Sequence, residues 1–136
     1  MRIESMQYKI YSDDVNKGIY LFKPESATGK TMMCRNIKLL RERDIAVRYF
    51  TYRDYIDQKP VSVIPDDLIL FVVDRYDRYV NNELNDKIRA VSKNGLVLID
   101  LKQGVPHDCK LEIDGVVDIN MISPFELEVI IEDEYS

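Results

Sequence analysis

Gly29-Lys30-Thr31 is the segment of this chain whose residue types and order carry the most definite chemistry. An apolar run, Gly18 to Phe22, precedes it. From Lys30 to Arg43 follows an amphipathic stretch in which Met33, Ile37 and Leu40 recur at helical spacing, with Arg35, Lys38, Arg41 and Arg43 on the other side. A strand leading into a loop, with a helix starting at the loop's end, makes an anion site. Successive backbone N–H groups converge there, and the helix start carries partial positive charge. Lys30 adds a cation that reaches β and γ oxygens, and the Thr31 hydroxyl adds a ligand for Mg2+. The binding segment runs over Glu25, Ser26, Ala27, Thr28, Gly29, Lys30, Thr31 and Met32. A nucleoside triphosphate is the ligand class this combination suits.

The pattern is that of a Walker A loop, G-x-x-x-x-G-K-[ST], with Pro24 where its first glycine stands and Ala27 where many such loops carry another. Both changes make the loop less permissive. Proline removes only its own N–H, however, so the donors from Ala27 onward are intact. A second element, Leu68-Ile69-Leu70-Phe71-Val72-Val73-Asp74, is a buried strand that ends in a carboxylate. Ligands of open α/β sheets gather at that edge, where Asp74 suits a Walker B role holding magnesium.

With these residues the chain resembles the RecA-like (KaiC-like) ATPases of the P-loop NTPase superfamily, over most of Gly18 to Glu132. Their second strand often reads Y-F-S-F-E-E, where this chain has Tyr49-Phe50-Thr51-Tyr52-Arg53-Asp54. Their later strand with a polar end corresponds to Leu98-Ile99-Asp100-Leu101-Lys102-Gln103, and their A-D-G-V hairpin to Ile113-Asp114-Gly115-Val116. The resemblance implies ATP and Mg2+ as ligands, with Lys30 as the catalytic lysine and Thr31 and Asp74 toward the metal. Where the family has a glutamate that polarises the attacking water stands Arg53, which cannot accept a proton. Asp54 is the neighbouring acid and the substitute candidate for catalysis, one methylene shorter. Arg75 rather than a glutamate follows Asp74. The expectation is nucleotide binding with slow or absent hydrolysis, in a switch or assembly module, and Arg53→Glu is expected to restore turnover. No N-K-x-D guanine signature follows a late strand, so ATP is favoured over GTP. Two other readings stand beside this one: a protein-interaction module on a decayed RecA-like fold, and a small nucleotide kinase, suggested by Asp74-Arg75-Tyr76 but short of chain for a lid and acceptor site.

The elements that must position these groups alternate along the chain. Strands are expected at Gly18–Phe22, Ile45–Tyr52, Leu68–Val73 and Leu96–Leu101, and helices at Lys30–Arg43 and Asn81–Lys93, the second stopped by Asn94-Gly95. Helix-length spacers between strands imply parallel crossovers. The expected class is therefore α/β, a mainly parallel sheet flanked by helices in RecA-like order, with antiparallel strands at the C-terminal edge. Lys110–Asp114, Val116–Met121 and Leu127–Ile131 supply that edge, and the first eleven residues a small extra strand.

Asp74-Arg75-Tyr76-Asp77-Arg78-Tyr79 repeats a three-residue unit, and Arg75, Tyr76, Arg78 and Tyr79 are residue types that suit a protein partner or a second copy of the chain. His107-Asp108-Cys109 offers adjacent ligand types that cannot all turn toward one ion, so no metal is assigned there. Glu132-Asp133-Glu134 reads as a solvated acidic tail.

Composition sets the outer limits. The 136 residues, 46% hydrophobic and 32% charged, fit one domain over 1–136 with a buried core. Nineteen Lys and Arg against 24 Asp and Glu give a net charge of −5, which disfavours nucleic acid and anionic lipid as partners. No run reaches the length of a membrane span, no signal peptide is evident, and two cysteines make no disulfide framework. The expected location is the cytoplasm.

Overall fold

Leu70–Val73 and Leu96–Ile99 are buried at every position, the pattern of strands covered on both faces. In the computed structural model, which describes residues 1–23, 27–43, 45–78, 81–101 and 110–132, with residues 27–29 by backbone alone, they lie side by side within one eight-stranded sheet. The elements are β1 (Arg2–Glu4), β2 (Lys9–Tyr11), β3 (Gly18–Phe22), α1 (Ala27–Arg41), β4 (Val47–Phe50), α2 (Tyr52–Ile56), β5 (Leu70–Val73), α3 (Asn82–Ser92), β6 (Leu96–Ile99), β7 (Gly115–Ser123) and β8 (Glu126–Glu132). The sheet order is β1-β2-β8-β7-β3-β6-β5-β4. From β7 to β4 neighbouring strands are parallel, whereas β7 with β8 and β1 with β2 are antiparallel.

The fold class expected from the sequence is thereby corrected. Instead of a mainly parallel RecA-like sheet flanked by helices, the chain forms a mixed sheet with a parallel centre and antiparallel pairs beyond it. The first reason lies in the N-terminal residues. Ile3 and Ile10 are buried while their strand neighbours are not, so β1 and β2 need a sheet face to cover them. β2 adds parallel to β8, Lys9 opposite Glu126 and Tyr11 opposite Glu128, and moves the β7–β8 hairpin from the edge into the interior. The second reason is the stretch between β4 and β5. It has no apolar repeat long enough for a crossover helix, and α2 is a five-residue turn with no buried residue. Among the described residues only α1 and α3 are long enough to cover the sheet.

They cover opposite faces. Met33, Ile37 and Leu40 of α1 are buried against Leu70, Val72, Leu96 and Leu98, while Leu84, Ile88 and Val91 of α3 pack with Phe71, Val73, Val97 and Ile99. This alternation follows from the two-residue period of a strand. Asn81 caps α3 by accepting the Leu84 N–H at 2.7 Å. Lys110–Asp114 forms no strand. Asp114 hydrogen-bonds it to β3, donating its N–H to the Ile19 carbonyl at 2.7 Å and accepting the Ile19 N–H at 2.9 Å. Among the described residues no helix is long and apolar enough to cross a membrane.

One polar residue breaks the apolar face of α1. Asn36 is fully buried, and neither side-chain amide atom has a hydrogen-bond partner among the described residues. An unpaired buried amide carries its full desolvation cost. Asn36→Leu is therefore expected to stabilise the fold by about 1–2 kcal/mol, read as a higher urea midpoint. A lower midpoint would mean that the amide is paired in solution.

Candidate phosphate site

α1 starts at Ala27, one turn's length earlier than its apolar pattern announces, so the amides of Ala27, Thr28 and Gly29 belong to the first turn of a helix. Such amides have no partner within their own helix. The turn contains no acidic residue to cap it, and the basic Lys38 and Arg41 sit in the last turn, where they complement the opposite end of the dipole. Glu25 and Ser26 lie outside the described residues, as do Tyr79 and the His107-Asp108-Cys109 trio.

Lys30 points to the carboxyl-end edge of the sheet. Its Nζ meets Asp100 Oδ1 at 2.5 Å, with the two side chains 20% and 15% exposed, and it stands 5.8 Å from the centre of the Phe22 ring. Asp100 directly follows β6. Its N–H donates to the Val73 carbonyl at 2.8 Å and its carbonyl accepts the Tyr76 N–H at 2.9 Å, so backbone bonds hold it while its carboxylate meets Lys30 and hydrogen-bonds to Asp74. Asp74 directly follows β5, anchored by its own N–H on the Phe50 carbonyl at 2.8 Å. Burial pushes the Asp74 carboxyl above its usual range, and the hydrogen bond and negative charge of Asp100 push the same way, against the partial offset of Arg75 and Lys30. Two neighbouring strands thus bring two carboxylates to one lysine.

A cavity of about 860 Å3 opens at this point, lined by Lys30, Thr31, Cys34, Tyr49, Asp74 and Asp100 among others. Thr31 is exposed on α1, next to Lys30. The hydroxyl and the two carboxylates are hard oxygen donors of the kind magnesium prefers, so this donor set fits the metal that the sequence motif implies. Deeper along α1, burial pushes the Cys34 thiol up to about 11 even though a hydrogen bond to Tyr49 favours its ionised form. In protein carrying Cys109→Ser, Cys34 is expected to react with iodoacetamide at pH 8 on the order of a hundredfold more slowly than a free cysteine. Reaction at the free-thiol rate would show the thiol open to solvent.

Asp54 is engaged elsewhere. It closes a capping box on α2, accepting the Thr51 N–H at 2.9 Å while Thr51 Oγ1 accepts the Asp54 N–H at 3.0 Å, and it pairs with Lys59 at 3.0 Å. Burial works to raise its pKa, but the Thr51 bonds and Lys59 outweigh it and hold the carboxyl below its ordinary value. It does not line the cavity. Arg53 is 80% exposed and reaches Asp57 at 3.3 Å.

The Asp-Arg-Tyr repeat is divided between surface and core. Tyr76 is 1% exposed and donates its hydroxyl to Asn85 of α3 at 2.6 Å, which presents nothing to a partner. Arg75 and Arg78 remain exposed. Arg75 takes a left-handed φ of +50°, uncommon for a side chain of its size, as the chain turns from Asp74 down to Tyr76. Asp100 is the site residue that sequence reasoning passed over. Its signal is the one that marks Asp74, an acid ending a wholly apolar strand.

Neither family models, nor curated proteins, nor solved structures show a significant match to this chain.

Proposed function

We propose that the chain binds Mg·ATP between the first turn of α1 and the carboxyl ends of β5 and β6, as a switch or assembly module with slow or absent hydrolysis. The observation that carries this reading is Lys30 near the start of α1, an ammonium that lines a cavity together with Asp74 and Asp100. In the reading, the α1 amides and Lys30 hold the phosphates and Thr31 with Asp74 holds the cation, whose chemistry when bound is to neutralise phosphate charge. Neither position from which the sequence motif would supply a general base does so among the described residues. Asp54 is spent on its cap and Arg53 accepts no proton, so neither takes one from water. The reading assigns the protein to the cytoplasm, on its two cysteines.

A thermal-shift titration tests it. A ligand that binds only the folded state stabilises by roughly 2.7 kcal/mol at a hundred times its Kd, so the midpoint must climb with Mg·ATP concentration. An unchanged midpoint at millimolar Mg·ATP rejects the proposal. A second reading, a protein-interaction module, is favoured by Lys30 being already neutralised by Asp100. It leaves the midpoint unmoved by nucleotide.

A further inference from the structure

We infer that Asp100 is an internal competitor for Lys30, and that it makes the site select a polyphosphate carrying its divalent cation over one without. The inference rests on the nucleotide reading above. Lys30 has three N–H donors, of which one is committed to Asp100 at 2.5 Å in a pair largely shielded from water. A phosphate that draws Lys30 away leaves Asp100 beside Asp74, two carboxylates next to an arriving anion. A metal-free polyphosphate adds to that repulsion. A divalent cation arriving with the phosphates cancels it, since both carboxylates then face positive charge. Asp100 is thus a positioning residue, acting through the ammonium it holds.

The backbone N–H and carbonyl of Asp100 make its sheet bonds, so its carboxylate, which also hydrogen-bonds to Asp74, can be changed without breaking them. Asp100→Asn keeps the shape and removes the charge. The experiment is calorimetric titration with ATP, with magnesium and with EDTA, on the wild type, Asp100→Asn and the charge-keeping Asp100→Glu. Asp100→Asn is expected to bind metal-free ATP roughly ten- to hundredfold more tightly, the range for one charge-assisted hydrogen bond removed from competition, and to lose most of the magnesium preference. Asp100→Glu is expected to keep the wild-type preference. Should Asp100→Asn fail to fold, Asp100→Ser carries the same expectation.

A nucleotide-free readout stands beside it. The rate at which a water-soluble acylating reagent modifies Lys30, read by peptide mass, is expected to rise several-fold in Asp100→Asn and not in Asp100→Glu. Wild-type binding of Mg·ATP with an unaltered magnesium preference in Asp100→Asn overturns the competitor role and leaves the nucleotide reading standing. Absence of binding in every variant, with or without magnesium, overturns the nucleotide reading and the selectivity with it, even where the acylation rate rises.

Discussion

Lys30→Ala is expected to abolish the Mg·ATP-dependent rise in midpoint and to weaken binding by at least about a hundredfold, the equivalent of roughly 2.7 kcal/mol. The ammonium is the one side-chain cation that the motif aims at the phosphates, and an alanine removes it from beside the first-turn amides. The same change has a second consequence in the free protein. It removes the counter-charge of Asp100, and Asp74 stands beside that carboxylate. Removing one partner of a largely buried pair leaves an uncompensated charge, so the folded state should also lose about 2 kcal/mol, below the range for a fully buried pair because both groups retain some contact with water. Lys30→Arg keeps the charge and should recover most of that stability. Urea unfolding at pH 7, alongside calorimetry, reads both effects. Nucleotide affinity unaltered in Lys30→Ala would place the ligand somewhere else.

Gly95→Ala is expected to cost more than about 3 kcal/mol, the upper range for an overpacked site, and to leave little soluble protein. A Cβ at Gly95 would come 2.1 Å from the Leu68 carbonyl oxygen, 3.1 Å from the Leu68 carbonyl carbon and 3.3 Å from the Ile69 oxygen. All three are backbone atoms, and no rotamer can relieve the overlap. Gly95 also donates to the Val91 carbonyl at 2.8 Å and accepts the Gly18 N–H at 3.1 Å, so it joins the end of α3 to the entries of β3, β5 and β6. Moving it disturbs the strands that carry Asp74 and Asp100 to the site. The comparison of urea midpoints with wild type measures the cost, and a loss below about 1 kcal/mol would show that the β5 entry yields easily.

The same glycine shows what the sequence could and could not convey. Asn94-Gly95 announces the end of a helix correctly, but the usual reason, a left-handed backbone, does not apply, since Gly18 is the described glycine with positive φ. Gly95 is needed for a close approach to the Leu68 carbonyl at the entry of β5, and no local pattern carries that contact. Elements whose apolar residues repeat with one period were legible: β3, β5 and β6 from uniform apolar runs, α1 and α3 from helical spacing. Their order in the sheet was harder. β1 and β2 are three residues each, too short for a period to emerge, and β2 decides whether the hairpin lies at the edge. In the site, Lys30, Thr31 and Asp74 could be read because motif spacing fixes them. Asp100 shows the same strand-end signal as Asp74, but its pairing with Lys30 could not be read, because that depends on β6 lying between β3 and β5, which is a property of the sheet. Asp54 misleads for the opposite reason: an acid after a strand reads as chemistry, while Thr51 three residues before it makes a helix cap.

If the first turn of α1 with Lys30 holds a triphosphate, as proposed, amide chemical-shift mapping under saturating Mg·ATP will register it. The expected result is that the largest changes fall on Ala27 to Met32, with a second group at Asp74 and Asp100, and that both vanish in Lys30→Ala. Changes that cluster on another part of the sheet, or a spectrum unaltered at millimolar nucleotide, would contradict it.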